Sequence, residues 1–289
     1  MTAAEALRDA ARRLGAAGCT TPELDAEVLL GHVAGWDRAA RMARRRDALD
    51  ENLRQCFEAL VERRLAREPI AHLVGTKEFF SLALAVDARV LVPRPETERL
   101  VEVALELVLA LPERDRGPCI VDVGTGSGAI ALALEAELVR RCRPARIVAL
   151  DLSREARAVA RHNLRRHQSR ISLLGADLLA PLRPASVDLI VANPPYLSDE
   201  DLAAAPPELA FEPMLALAGG KPGGMGVIDR LLGSAREALV PAGWLCFEIG
   251  AGQGEAALER MCGGGFGRGR LVQDLAGRDR IVVCCRGED

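Results

Sequence analysis

Cys119-Ile120-Val121-Asp122-Val123-Gly124-Thr125-Gly126-Ser127-Gly128-Ala129-Ile130-Ala131 changes character twice within one short stretch. An apolar run ends in glycines interleaved with small hydroxyl residues, and an Ala/Ile run follows. The first run predicts a buried strand, the last a helix, and the glycines a tight turn between them. Glycines at such a turn also let a ligand approach the backbone closely.

The next apolar run, Arg146–Leu150, stops at Asp151. A carboxylate at a strand end can accept hydrogen bonds from both hydroxyls of a ribose. Gly124–Gly128 and Asp151 together predict a cofactor that contains a nucleoside. They leave its identity open. Gly124, Gly126 and Ala129 also fit the dinucleotide pattern G-x-G-x-x-A, so NAD stands only slightly behind S-adenosylmethionine (SAM). A tight turn without a ligand is the plainer alternative.

Outward from this loop the pattern keeps alternating. Strands are predicted at Cys119–Val123, Arg146–Leu150, Ile171–Leu174, Val187–Ala192, Trp244–Ile249, Leu271–Asp274 and Ile281–Cys285. Helices are predicted near Gly128–Arg140, Arg154–His167, Met225–Val240 and Gly254–Met261. The expected fold class is therefore α/β, a parallel doubly wound sheet. The last two strands have no helix between them, so one of them should run antiparallel.

Residues 1–70 read as all-helical. Leu7, Ala10, Ala11 and Leu14 share one helix face, and Thr21-Pro22 starts a second helix with an apolar face of Leu24, Val28, Leu29 and Val33. A third helix runs from about Ala48 to Ala66. A small bundle is expected. Within 71–92, Phe79–Leu84 and Val86–Val92 read as two strands of a hairpin around Asp87. Residues 93–289 form the main domain, entered through a turn at Pro93–Glu98.

The fourth strand of the main domain runs into Asn193-Pro194-Pro195-Tyr196. In open α/β sheets ligands bind beyond the carboxyl ends of the strands, so this loop should meet whatever Gly124–Gly128 holds. An amide nitrogen is a poor nucleophile because its lone pair is delocalised into the carbonyl. The Asn193 side-chain oxygen and the Pro194 carbonyl offer two acceptors for the two N–H groups of a planar amine or amide, and neither proline adds a backbone donor. Tyr196 can wall the site. Such a loop acts by positioning and by preorganised hydrogen bonds. A Pro-rich turn that merely closes the strand is the bland reading.

Composition narrows the classes. Net charge is −3, with 38 basic and 41 acidic residues, which argues against binding nucleic acid through bulk charge. Arg41, Arg44, Arg45 and Arg46 form one local basic cluster, read as a solvated connector. The eight cysteines include no C-x-x-C pair, so they read as small hydrophobes in a reducing compartment, and no metal site is expected. No signal peptide or membrane-spanning stretch is apparent, and a cytoplasmic, monomeric protein is expected.

The chain resembles the protein-glutamine methyltransferases that modify peptide-chain release factors, the PrmC/HemK family. The likeness covers nearly the whole chain. It rests on Glu68-Pro69-Ile70, Gly75, Glu78-Phe79, Asp122–Gly128, Asp151-Leu152-Ser153, Asn193–Tyr196, Phe211-Glu212-Pro213, Gly219-Gly220, Glu248-Ile249-Gly250 with Gln253, and Asp274–Arg280. The most particular stretch is Val92-Pro93-Arg94-Pro95-Glu96-Thr97-Glu98; Asn-Pro-Pro-Tyr itself is shared with DNA adenine methyltransferases. Physically, Pro93–Glu98 is a rigid turn with carboxylates at a helix start, a joint that also walls the site.

The resemblance implies a Rossmann-like SAM-dependent methyltransferase domain with a small all-helical N-terminal domain that helps hold the protein substrate. It implies methylation of the glutamine in the Gly-Gly-Gln motif of class-1 release factors, with S-adenosylhomocysteine as product. Gly124, Thr125, Gly126, Ser127, Gly128 and Asp151 would bind SAM, Asp177 or Leu178 would contact the adenine, and Asn193 would touch both the methyl donor's neighbourhood and the glutamine. Pro194, Pro195 and Tyr196 would complete the acceptor site, with Asn193, Pro194 and Tyr196 catalytic. The chain departs from the family pattern at His72, at Leu178 and across Lys221–Gly226. A DNA or RNA adenine methyltransferase, whose exocyclic amine needs similar acceptors, is the alternative. A non-catalytic SAM-binding module and a dehydrogenase stand behind it.

Overall fold

The structure is a computed structural model that describes residues 1–112 and 117–287. The chain forms two compact units. Met1–Thr76 together with Pro206–Phe211 make one, and Lys77–Ala205 with Glu212–Asp289 make the other.

The first unit is helical: α1 (Ala3–Ala16), α2 (Pro22–Ala34), α3 (Arg38–Ala43), α4 (Glu51–Leu65) and α5 (Ile70–Val74). Thr2 and Glu5 close a capping box at the start of α1, and Asp37 and Asp50 cap α3 and α4. Leu7, Leu14, Leu29, Leu30, Phe57, Val61 and Leu73 make its core. The inward face of α2 differs from the one expected. Leu24 is exposed, and Asp25 turns inward because its carboxylate binds Arg64 Nε at 2.8 Å in a buried ion pair. Leu29 is buried as expected, whereas Val28 and Val33 are only half-buried. Arg64 and Arg67 also grip Glu208, in the 3₁₀ segment Pro207–Phe211, at 3.0 and 2.8 Å. The basic cluster folds into α3 and the turn after it. Arg44 lies over the Trp36 ring, and Arg41 donates to the Glu27 carbonyl at 2.7 Å.

The second unit begins within a hairpin, β1 (Thr76–Phe79) and β2 (Leu82–Ala85), whose first residue belongs to the helical unit. Its turn falls on Phe80-Ser81 rather than at Asp87. Both residues adopt positive φ, 49° and 63°, which suits a two-residue turn whose twist matches its strands. Asp87 instead accepts the Arg89 backbone N–H. α6 (Pro95–Ala110) follows, with Pro at its first turn.

From there strand and helix alternate: β3 (Cys119–Val123), α7 (Ala129–Arg140), β4 (Arg146–Asp151), α8 (Arg154–Arg166), β5 (Ser172–Gly175), β6 (Val187–Ala192), α9 (Asp199–Ala203), α10 (Gly226–Ala238), β7 (Leu239–Glu248), α11 (Gly254–Gly263), β8 (Phe266–Gln273) and β9 (Asp279–Arg286). The seven-stranded sheet has the order β5-β4-β3-β6-β7-β9-β8. β9 runs antiparallel to both of its neighbours. β3 and β6 are buried along their whole length, because α6 and α7 cover one sheet face and α10 and α11 the other. Cys246 and Cys284 lie fully inside these cores, where burial pushes both thiols up and keeps them unreactive. Among the described residues no helix is long and apolar enough to cross a membrane.

One buried polar residue ties the hairpin to the glycine loop. Asn163 of α8 accepts the Ala85 N–H at 2.8 Å and donates to the carbonyls of Ala85 and Ser127 at 2.9 and 2.8 Å. Removing its amide leaves one buried and two half-buried backbone groups without this partner. Asn163→Ala is expected to lower unfolding free energy by about 2–4 kcal/mol. In the same urea titration, Ala at the exposed Arg161 should change it by less than about 0.5 kcal/mol.

Candidate active site

The glycine loop leaves β3 at Gly124. Its Gly124 and Thr125 N–H groups both donate to the Leu150 carbonyl at 2.9 Å, which anchors the turn to the end of β4. Gly124 and Gly126 have φ of 71° and 56°. A Cβ on Gly124 would meet no heavy atom within 4 Å, so bare backbone faces open space. Gly128 is different: its Cβ position is covered by Leu132 and Ala160, so it serves packing.

Asp151 sits across that space. Its carboxylate accepts the N–H groups of Gly126 and Ser153, each at 2.8 Å. Burial raises its pKa, while these two bonds and the Arg157 charge pull the other way. Arg157 Nη1 holds the same corner from below, donating to the carbonyls of Asp151 and Leu152 at 2.8 and 2.9 Å. On the far rim Asp177 pairs with Arg230 at 2.6 Å, and Leu178 takes a positive φ of 49°.

β6 delivers Asn193-Pro194-Pro195 to the same cavity. Asn193 Nδ2 donates to Thr97 Oγ1 at 3.2 Å. Thr97 donates in turn to Glu248 Oε2 at 2.7 Å, and the Tyr196 hydroxyl donates to Glu248 Oε1 at 3.1 Å. Burial raises the Tyr196 phenol well above its usual range, so it stays neutral. Gln253 clasps the loop from outside: it donates to the carbonyls of Tyr196 and Gly223 at 2.9 and 3.1 Å and accepts from Gly250 N–H at 2.8 Å. The departing stretch near Lys221 thus has a job. Gly219 and Gly224 lie so close to Tyr196 that a Cβ on either would strike its backbone.

The cavity gathers Gly124, Gly126, Asp151, Asp177, Leu178, Asn193, Pro194 and Pro195. Thr125, Ser127 and Gly128 of the same loop are buried and do not line the cavity; Thr125 Oγ1 donates to Asp122 at 2.6 Å. Tyr196 backs the cavity rather than lining it. The sequence reading missed Arg89, Val90 and Leu91 on the near wall and Leu215 on the rim. Glu212 holds that near wall, accepting Val92 N–H at 3.1 Å and Arg94 at 2.5 Å. Phe211-Glu212-Pro213 was the available signal for this contact.

The PrmC N-terminal domain model matches residues 5–75, and the methyltransferase small domain model matches residues 101–208. The chain is 40% identical over 296 residues to the release factor glutamine methyltransferase of Moorella thermoacetica, covering 100% of both chains. It is 38% identical over 280 residues to that of Escherichia coli, covering 96% of each. The chain belongs to the release factor glutamine methyltransferase family. Its fold is also similar to a solved methyltransferase from Pyrococcus furiosus, with a TM-score of 0.52 and 19% identity over 80% of this chain and 98% of the other.

In this family member the glycine loop rests on one buried carboxylate. Asp122 Oδ2 accepts from Thr125 Oγ1 and from Ala131 N–H at 3.2 Å, while Oδ1 is buried without a hydrogen-bond partner among the described residues. Burial pushes the carboxyl up from 3.8 to about 7, against the pull of those two bonds. Between these values the folded chain keeps a proton on Asp122 that the unfolded chain has released, so this group's contribution to stability falls as pH rises. The loss from this group alone is on the order of a few kcal/mol between about pH 4 and pH 7. Asp122→Asn should flatten that part of the stability profile in urea titrations; a slope unchanged from the wild type would contradict this account.

Proposed function

We propose that this protein methylates the side-chain amide nitrogen of the glutamine in the Gly-Gly-Gln motif of class-1 peptide-chain release factors. One observation carries the reading: Asn193-Pro194-Pro195 lines the same cavity as the open glycines Gly124 and Gly126 and the carboxylate of Asp151. The names of the full-length relatives support the choice of acceptor. When bound, S-adenosylmethionine supplies a sulfonium-activated methyl group and leaves as S-adenosylhomocysteine.

The residues present suit that group. Gly124 offers backbone with no side chain in the way. Asp151 has two carboxylate oxygens, each taking one backbone N–H. Each keeps acceptor capacity for a ribose hydroxyl. Leu178, Leu152 and Val227 give apolar walls for a purine, and Asp177 stands beside them as an acceptor for its amine.

Asn193 and Pro194 would do the work on the acceptor. Asn193 Nδ2 is held by Thr97, which turns Oδ1 to the incoming amide. Oδ1 would take one N–H and the Pro194 carbonyl the other, leaving the flat nitrogen oriented toward the methyl donor. Two acceptors favour charge building on that nitrogen and offset part of the loss of amide resonance. The proton that the nitrogen loses passes to solvent, while the two carbonyl oxygens only hold the N–H groups in place. The prolines keep competing donors out of the site. The helical unit would hold the body of the release factor.

The test is to incubate the protein with methyl-labelled S-adenosylmethionine and either a release factor or duplex DNA, then locate the label by mass spectrometry. Label is expected on the Gly-Gly-Gln glutamine. Label on DNA adenine and none on the release factor would overturn the reading in favour of the nucleic-acid alternative. Asn193→Ala should lower kcat by at least about 100-fold, with cofactor affinity measured by calorimetry changed little.

A further inference from the structure

An asparagine side chain is nearly symmetric in shape. Turning it over exchanges a donor for an acceptor at almost no steric cost, so only the chemistry of its partners selects the orientation. At Asn193 the selection matters. The wrong face would point an NH₂ group at the NH₂ group of the acceptor. Thr97, the partner of Asn193 Nδ2, does not select by itself, because a hydroxyl can donate or accept.

The selection comes one bond further away. Glu248, at the end of β7, is 2% exposed and belongs to a different element from Thr97, which sits in the first turn of α6. An ionised carboxylate accepts and never donates. While Glu248 is ionised, Thr97 Oγ1, at 2.7 Å from Glu248 Oε2, must commit its one proton to the carboxylate. The Thr97 oxygen can then only accept, and Asn193 Nδ2 at 3.2 Å meets that demand. Glu248 Oε1 takes the Tyr196 hydroxyl proton at 3.1 Å, so both ends of the Asn193–Tyr196 loop hang from one carboxylate.

We propose that Thr97 and Glu248 are positioning residues for methyl transfer: the buried carboxylate sets the polarity of a hydrogen-bond chain that ends at Asn193 Nδ2 and so turns Asn193 Oδ1 toward the acceptor nitrogen. The proposal rests on the glutamine-methyltransferase reading and gives the Pro93–Glu98 stretch a task beyond that of a rigid joint. It also carries a pH consequence. Burial raises the Glu248 carboxyl, opposed by the hydrogen bonds from Thr97 and Tyr196 and by the charge of Arg280, and assisted by Glu96. Once protonated, the carboxyl is a donor and the chain can run backwards. Turnover should therefore fall on the acid side as Glu248 takes up its proton.

The test compares the wild-type chain with Thr97→Val, Thr97→Ser, Glu248→Gln and the Val/Gln double variant. Val keeps the shape of Thr without the hydroxyl; Gln keeps the shape of Glu but can donate. Thr97→Val should lower kcat about 10- to 100-fold, with KM for the release factor and cofactor affinity changed less than about threefold. Thr97→Ser should restore most of the loss. The double variant should be no worse than Glu248→Gln, because the chain acts as a unit, and Glu248→Gln should remove the acid limb.

A readout without substrate accompanies these. The Asn193 side-chain NH₂ resonances, identified by their loss in Asn193→Ala, should exchange with water faster in Thr97→Val than in the wild type and Thr97→Ser. Equal kcat for Val and Ser, or an unaltered Asn193 resonance in Thr97→Val, would overturn the proposal even with wild-type methylation intact. A wild type that leaves the release factor unlabelled would instead sink the functional reading, and the amide exchange would still decide the orientation of Asn193.

Discussion

The parallel pairing of β3 with β4 on one side and β6 on the other governs the site. In that register Val123 lies opposite Leu150 and also opposite Ala192. The residues that come next are Gly124, Asp151 and Asn193. Three chain exits therefore leave the sheet from one rung, side by side, although they are far apart in sequence. A slip of one residue in either ladder would exchange inward and outward faces and scatter the three. The apolar side chains of β3 and β6, buried on both faces, hold the register against that slip.

Around this rung the molecule buries polar groups and satisfies most of them, Asp122 Oδ1 being an exception. Asp151 takes two backbone donors, Asn163 makes three bonds to backbone, Glu212 binds a backbone N–H and an arginine, and Glu248 receives two hydroxyls. Each of these groups would be costly if left unmet. Each also joins two loops that must keep a fixed separation. The polar interior is concentrated where loops need fixing, while the layers between sheet and helices stay apolar.

Much of this was legible from short-range pattern. The strand-glycine-helix stretch, the acidic end of β4 and Asn193–Tyr196 are each contiguous, and the alternation of strand and helix fixes which edge they share. That one of the last two strands runs antiparallel followed from a missing helix; which of them it is did not. What the pattern hid depends on partners remote in the chain. Asp25 points inward only because Arg64 awaits it, so Leu24 was assigned to the wrong face. Phe80-Ser81 carries no glycine or asparagine to announce its turn. Asn163 looks like an ordinary polar position on a helix until Ala85 and Ser127 arrive beside it. Thr97 was visible as part of a family motif, but its bond to Asn193 was not.

The grip of Arg64 and Arg67 on Glu208 has a consequence for how the chain divides. The helical unit is assembled from two stretches of sequence that are separated by most of the strands of the sheet. Severing the chain after residue 76 would keep every helix of the bundle, yet would leave two guanidinium groups without the carboxylate they share. Modularity in the fold and modularity in the gene therefore do not coincide. A transplant of the bundle would have to carry the Pro206–Phe211 strap with it, or replace Glu208 by another acid.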